Sequence, residues 1–268
     1  MLMSKSINID SLRFILFLLG LVSFSLIGVI VPFRREEKFL NRFRWFNNVL
    51  LSFINTAISR VLVPGGVLLV SGYCQEQKIG VFHWLYFPSV LNFIFSIILM
   101  DLTIYYQHRC FHRFNLLWLL HRVHHSDPGF DTSTALRFHP FEILISLGIK
   151  AATILIFGVN PAGYVTFEIL LNFSAMFNHA NFALPANIEN KVRSLVVTPD
   201  MHRIHHSVEN YEMNKNFGFC LSIWDKLFGT YLKSGKGLYK DQNQIGLSQF
   251  RDKKGQRIDK LIIQPFRK

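Results

Sequence analysis

Two short stretches, 199-PDMHRIHHS-207 and 121-HRVHHSD-127, carry the same arrangement of three histidines. In each stretch, the first histidine is followed three and four residues later by the second and the third. On a helix these two lie about −60° and +40° around the axis from the first, so all three imidazoles share one face. Neutral imidazole is a common metal ligand. The repeated spacing therefore predicts two helices with metal-binding faces.

Ten of the eleven histidines fall between residues 108 and 206. In 108-HRCFH-112 two of them are four residues apart, which makes them stacked neighbours on a helix. Two triplets, one pair and single histidines are enough for more than one metal ion. The predicted metal ligands are His108, His112, His121, His124, His125, His179, His202, His205 and His206.

Two further histidines are assigned differently. His139, in 137-RFHP-140, is left open between a ligand and a residue that caps or braces a turn. His83 stands alone and is predicted to be an ordinary solvated or hydrogen-bonded residue. No catalytic side chain is predicted beyond the metal site itself.

An acidic residue inside an apolar stretch adds to this constellation. Asp101 lies seven residues before His108, so on a helix it shares that face, and Tyr105 shares it too. An acid at membrane depth is costly unless it has a partner. We therefore predict that Asp101 and Tyr105 either bind the metal or lie directly behind a ligand, where Asp101 would orient a histidine by accepting its free ring N–H. The other acids that could act in this way are Asp127, Asp131, Glu142 and Asp200.

The composition indicates a membrane protein. Half of the 268 residues are hydrophobic and 27 are Phe, and the mean hydropathy is positive. The formal net charge is nevertheless +12, which is typical of chains that set their cations against anionic lipid. No nucleic-acid-binding motif accompanies this charge, so nucleic acid is not an expected partner. Three scattered cysteines predict no disulfide framework.

Four apolar regions are predicted to enter the bilayer: residues 12–33, 49–70, 84–106 and 143–177. The first is long enough to be a retained anchor rather than a signal peptide. The second contains Arg60 and the break 64-PGG-66. The fourth is interrupted at 158–163 and is predicted to form a helical hairpin.

Basic residues predict the orientation of these spans. The stretch 34–44 is rich in Arg and Lys, and residues 233–268 hold ten Lys and Arg against three Asp. Since Lys and Arg near span ends mark the cytoplasmic side, both segments are expected there. The chain crosses out through the second span and returns through the third, and the 143–177 hairpin enters and leaves on the same side. His108, His179 and the second triplet are therefore all expected on the cytoplasmic face. We therefore expect an all-α, multi-pass integral membrane bundle of about four spans, with a cytoplasmic helical cap whose histidines hold two metals.

The histidine series resembles the fatty acid hydroxylase / sterol desaturase superfamily of membrane di-iron oxygenases. The resemblance rests on the order HxxxH, HxxHH, RFHP, NHxN and HxxHH, on 101-DLTIYYQHRCFH-112 and 117-LWLLHRVHHSD-127, and on the closing 216-NFGFCLSIWDKLFGTYL-232. It divides the chain into a transmembrane region at 1–94, a catalytic domain at 95–232 and a basic tail at 233–268. The sequence departs from some members at Ala175, where these carry a histidine four residues before the one that corresponds to His179.

The resemblance implies two iron ions, with zinc able to substitute in a purified protein. It also implies O2 as oxidant, a lipid substrate, and an external electron donor such as a ferredoxin, a cytochrome or a reductase. Hydroxylation, desaturation and ether-lipid cleavage all occur in the superfamily. The residues alone predict ligands and not the metal, because neutral imidazole suits iron, zinc, copper and nickel alike. A zinc-dependent membrane hydrolase and a metal-transport protein remain the alternatives.

Overall fold

The computed structural model describes residues 9–34, 38–235 and 245–267. Parts of the basic stretch 34–44 and of the tail 233–268 lie outside the described residues. Within them the regular structure is helical, with two isolated backbone bridges, so the predicted all-α class is confirmed. The helices are α1 (Ile9–Ile30), α2 (Lys38–Leu62), α3 (Gly66–Gln77), α4 (Val81–Trp84), α5 (Ser89–Arg113), α6 (Asn115–His125), α7 (Pro140–Phe157), α8 (Pro161–Asn178), α9 (Ala186–Val192), α10 (Pro199–His205), α11 (Asn210–Met213), α12 (Ile223–Leu227) and α13 (Ile258–Ile263), with short 3-10 helices at Thr132–Leu136 and Gln264–Phe266.

Four helical stretches in the described part of the chain are long and apolar enough to cross a membrane: Ile9–Ile30, Asn41–Trp84, Ser89–Arg113 and Pro140–Phe157. Their number agrees with the prediction, and the chain is a multi-pass membrane protein. The predicted span 49–70 is two helices rather than one. The chain turns between α2 and α3 at Gly65 and Gly66, which both adopt positive φ. Glycine has no Cβ to oppose this backbone conformation.

The helices α7 and α8 follow one another through a short turn at the predicted interruption, but they pack against α3 and α5 rather than along each other. The turn begins at Gly158, whose φ is 70°, and α8 begins after Asn160, whose side-chain oxygen accepts from the Gly163 N–H at 3.1 Å. The turn bonds to α5: Asn92 donates to the Gly158 carbonyl at 3.3 Å and the Ser96 hydroxyl accepts from the Asn160 N–H at 2.8 Å. These contacts satisfy backbone groups inside the protein, as a membrane interior requires.

A close approach of α5 and α8 sets the position of the histidine-bearing ends of both helices. At Gly163 an added Cβ would lie 2.8 Å from the Ser96 Cβ, so glycine allows the two helices to meet here. Around this point a buried apolar cluster joins α3, α5, α7 and α8, and it includes Met100, Ile154 and Phe167. Packing of this kind holds the ends of α5 and α8 in register.

A buried charged network ties the α6–α7 connection to α2. The fully buried Asp127 accepts from Arg44 Nη1 at 2.8 Å and from Asn48 Nδ2 at 3.1 Å, and Arg44 also pairs with Asp131. Burial raises the pKa of the Asp127 carboxyl, but the charges of Arg44 and Arg137 outweigh it and hold that pKa below its usual range. The network therefore fixes the chain between the histidines of α6 and the start of α7.

The carboxyl-terminal segment, residues 245–267, packs against the same region. The Gly246 N–H donates to the His206 carbonyl at 2.9 Å. Farther along, Gln256 accepts from Arg137 Nη1 at 2.6 Å and the buried Gln264 accepts from the Ser126 hydroxyl at 3.2 Å. This segment is therefore folded and packs against the residues that surround the histidines.

The network at Asp127 gives a stability prediction. Arg44→Met leaves the Asp127 carboxylate buried without its closest cation, so we expect a loss of about 3–5 kcal/mol, the usual cost of breaking a buried pair. Thermal or denaturant unfolding of the purified protein in detergent measures it. The control is Arg42→Met, which removes an exposed arginine from the same helix. Equal stability of the two variants would contradict the role given to Arg44.

Candidate metal centre

Four segments bring nine histidines together. The end of α5 carries His108 and His112, α6 carries the first triplet, His179 follows α8, and α10 with the residue after it carries the second triplet. All nine are buried except His112, which is half-buried. The predicted metal-binding faces therefore converge at one place.

The nine rings form two groups. The five-histidine group contains His108, His112, His121, His125 and His205. The four-histidine group contains His124, His179, His202 and His206. In each group every residue offers one ring nitrogen, and these nitrogens all lie within 4.8 Å of one another. The groups are adjacent, because the rings of His125 and His206 stack with centroids 4.4 Å apart.

Distances in the four-histidine group are those of ligands around one ion. His179 Nε2 lies 3.0 Å from His202 Nε2, 3.2 Å from His124 Nε2 and 3.3 Å from His206 Nε2. Two imidazole nitrogens that each bind one metal at about 2.1 Å lie about 3.0–3.4 Å apart. The group fits a metal without rearrangement of its rings.

The five-histidine group contains buried ring nitrogens without a hydrogen-bond partner. The Nε2 atoms of His112, His125 and His205 are in this condition, while His108 Nε2 lies 3.1 Å from His121 Nε2. Buried polar atoms normally have partners, and leaving one without costs about 1–3 kcal/mol. A bound cation would supply the missing partner to all three, so this donor set also fits a metal.

Backbone carbonyls accept from the far ring nitrogens of four of these histidines and so orient their rings. The Nδ1 atoms of His108, His205 and His179 lie 2.8, 2.8 and 2.7 Å from the carbonyls of Phe217, Lys215 and Ala175. His124 Nδ1 lies 3.2 Å from the Arg137 carbonyl. Donation from Nδ1 leaves Nε2 as the free lone pair, which is the tautomer that a metal ligand needs.

Glu142 gives one histidine a charged acceptor. Its Oε1 lies 2.6 Å from His121 Nδ1, and both side chains are buried. Glu142 is in the first turn of α7, directly after the RFHP stretch. It was among the acids considered from sequence, and among residues 9–34, 38–235 and 245–267 it is the carboxylate that lies against a histidine ring nitrogen.

Burial favours the neutral form of six of these imidazoles by lowering their pKa. It lowers the pKa of His205 to about 3 and that of His179 to about 4. It also lowers the pKa of His124, His125, His202 and His206 well below the ordinary value, with the neighbouring histidines acting in the same direction. At neutral pH the lone pairs are therefore available to a metal and carry no proton.

The role predicted for Asp101 is wrong. Its carboxylate accepts from the backbone N–H groups of Cys220 and Leu221 at 3.2 and 3.1 Å and from Trp224 Nε1 at 2.8 Å. Tyr105 likewise does not reach the site, since its hydroxyl bonds to that of Thr230 at 2.7 Å. Residues that share a helical face point to different neighbours once the chain beyond α8 folds back over that face.

His139 lies outside both groups and caps α7. Its Nδ1 accepts from the Phe141 N–H at 3.2 Å, so its Nε2 donates to the Ile262 carbonyl at 3.0 Å. The capping alternative considered from sequence is the one that the structure supports. His83 is also outside both groups, in α4.

The backbone carbonyls that accept from the histidine Nδ1 atoms could not be predicted from the sequence. The carbonyls of Lys215 and Phe217 lie on one loop, and Asp225 holds that loop by accepting from the N–H groups of Phe217 and Gly218, both at 2.8 Å. The stretch 216-NFGFCLSIWDKLFGTYL-232 was singled out from sequence, but a carbonyl leaves no signal in the residue type that carries it.

The fatty acid hydroxylase family profile matches residues 93–230. The chain is 32% identical over 132 residues to the alkylglycerol monooxygenase of Homo sapiens, a match covering 49% of this chain and 28% of the human protein. It is 26% identical over 144 residues to the ornithine lipid hydroxylase of Rhizobium tropici, covering 54% and 43%. A very-long-chain aldehyde decarbonylase of Oryza sativa is 28% identical over 146 residues, covering 54% and 55%.

The matched region contains all nine clustered histidines and ends at residue 230, three residues after α12. The chain spans less than a third of the human relative and less than half of the rhizobial one. No solved structure matches it. Since the family profile covers half of the chain, including both histidine groups, the chain belongs to the fatty acid hydroxylase family.

Proposed function

We propose that this protein is a membrane-bound oxidoreductase that uses O2 to oxidise a C–H bond of a lipid at a pair of iron ions. The observation that carries the proposal is the pair of adjacent, buried, all-imidazole groups. The similarity to two lipid oxygenases and an aldehyde decarbonylase supports it. Hydroxylation, desaturation and ether cleavage are all included, because they differ in how the substrate is placed after the same attack on a C–H bond.

The five-histidine group would hold one iron and the four-histidine group the other. Zinc would occupy the same ligands in a protein purified without iron, because imidazole binds both metals. When bound, the two irons supply the redox chemistry that activates O2. The chain itself favours the neutral imidazole by burial and holds Nδ1 of five of the rings against an acceptor.

Aromatic side chains close the site. The ring of Phe138 stacks on His124 with centroids 4.5 Å apart, and Phe130 packs within 5.5 Å of His179. On the side of the half-buried His112, Trp118 lies 5.1 Å from that ring. A water-poor site protects a reactive oxidant from side reactions, and the Trp118 side is the more open one.

The alternatives from other classes are less well supported. A zinc hydrolase of the two-metal type usually includes bridging carboxylates, whereas both groups here consist of imidazoles. A metal transporter needs ligands that release their ion, whereas eight of these rings are buried and five have their far nitrogen held by an acceptor. We therefore retain the proposal that this protein is an oxygenase.

Electrons would come from a separate donor such as a ferredoxin, a cytochrome or a reductase. Support comes from the sequence, which contains no dinucleotide or phosphate-loop fingerprint within these residues. The positive net charge favours an acidic carrier.

We also propose that the histidine cap faces the cytoplasm, because Lys and Arg dominate residues 233–268. The test is the labelling of a cysteine placed at Ser234, four residues after the end of the region that matches the family. We expect this cysteine to react with a membrane-impermeant maleimide only after the cells are permeabilised, so that the reagent reaches the cytoplasmic face. Labelling from outside intact cells would overturn the orientation. The labelling of a cysteine at Tyr86, which is 90% exposed at the other end of α5, provides the opposite control.

The reaction is tested by reconstituting the iron-loaded protein in nanodiscs with a reductase system, ¹⁸O2 and a panel of ether, amino-acyl and fatty aldehyde lipids. We expect one lipid class to gain ¹⁸O or to lose two hydrogens. His83→Ala should turn over normally because His83 is outside both groups, and His202→Ala should not. Turnover without O2, or metal-dependent hydrolysis of an ester, would show that the proposed reaction is wrong.

A further inference from the structure

We infer that residues 220–228, which follow the last long helix, lie within the bilayer on the histidine side, with the outer face of α12 in contact with lipid. The composition of this segment alone does not indicate a location in the bilayer, because the segment is short and contains Asp225 and Lys226. The inference rests on where the segment meets α5.

The depth of the segment follows from Asp101. The predicted span 84–106 contains this residue, five positions and about 8 Å from the end of the span on the histidine side. The groups that bond to its carboxylate, at Cys220, Leu221 and Trp224, therefore lie at a similar depth, just inside that edge of the hydrocarbon.

The outer face of this segment is apolar and exposed. Ile223, Leu227 and Phe228 are 41%, 63% and 39% exposed. Phe228 continues the outer surface of α5, because its ring lies 5.1 Å from that of Tyr106, which is itself 42% exposed. Leu195 adjoins this face, since its carbonyl accepts from the Ser222 N–H at 3.0 Å. Together these side chains form an apolar belt that is continuous with a membrane-spanning helix.

The polar groups of the segment are satisfied on the protein side, as lipid contact demands. Asp225 is fully buried and accepts from the Phe217 and Gly218 N–H groups and from the Thr230 hydroxyl. Lys226 does not extend into the apolar belt, because its Nζ donates to the Ser194 carbonyl at 2.5 Å. The belt itself is left without an unpaired charge.

Charge at the edge of the belt favours lipid as the occupant. The exposed Lys226 donates to the Arg193 carbonyl at 3.3 Å, and the exposed Lys191 is two residues from that carbonyl. The Arg193 side chain, in contrast, is buried and pairs with Glu189. A basic rim next to an apolar surface matches an anionic headgroup layer above acyl chains.

This arrangement also bears on the proposed function, on which the following step rests. His108 is seven residues beyond Asp101, about 10 Å farther along the helix. The same loop that reaches Asp101 carries Phe217, whose carbonyl orients His108. A lipid held against the belt would thus have its headgroup-proximal carbons at the level of the five-histidine group, so the substrate need not leave the bilayer.

The test uses the whole protein in nanodiscs of phosphatidylcholine and phosphatidylglycerol, with p-benzoylphenylalanine in place of Leu227 and, separately, of Ile223. After irradiation, intact mass reports covalent lipid adducts. We expect adducts at both positions, several-fold above the control with the same amino acid in place of Lys254, which is exposed on the carboxyl-terminal segment. Two positions are used so that poor folding of one variant leaves the other.

Adducts no more frequent at 223 and 227 than at 254, or cross-links to a second protein chain in place of lipid, would overturn the inference. The readout needs neither metal nor turnover. A failed oxygenase assay together with positive lipid adducts would therefore reject the proposed function alone.

Discussion

Nine imidazoles gathered at one place, eight of them buried, impose the constraint on which the rest of the cap depends. Each buried ring nitrogen needs a partner if the fold is to be stable. The protein supplies acceptors for one nitrogen of five rings: four carbonyls and the Glu142 carboxylate. Several others, such as both nitrogens of His125, have none within the described residues. A metal site requires this pattern, because the ring nitrogens that lack a partner within the protein are the ones that can bind the metal.

The surrounding structure can be understood as the support for these acceptors. Asp225 fixes the loop that carries Lys215 and Phe217. Arg137 donates to the Val123 carbonyl while its own carbonyl faces His124, so one residue links two turns of the cap. Asp127 and Arg44 attach this region to α2. Mutation of such supports is expected to loosen ligands without removing any, which is why outer residues of metal sites matter for affinity.

Much of the site could be predicted from the sequence because helical spacing is a local property. The faces of the two HxxHH triplets and of the HxxxH pair follow from 3.6 residues per turn, and the structure places all three together. The failure at Asp101 has a different origin. Its helical face was inferred correctly, but the segment around Trp224 returns from far along the chain to bond with it. His139 could not be assigned either, since a cap and a ligand require the same residue type. The carbonyl acceptors leave no trace in residue identity, and the division of nine histidines into five and four depends on the packing of α5 against α8.

The central claim is that the two histidine groups hold two metal ions, and metal analysis of the purified chain tests it most directly. Expressed and purified with iron, the protein should contain two irons per chain, with a Mössbauer spectrum of iron in nitrogen-rich coordination. His205→Ala and His202→Ala each remove a ligand from one group, so each should lower the iron content, whereas His83→Ala should retain both ions. One iron or none in the unaltered protein, or two irons in both ligand variants, would contradict the account.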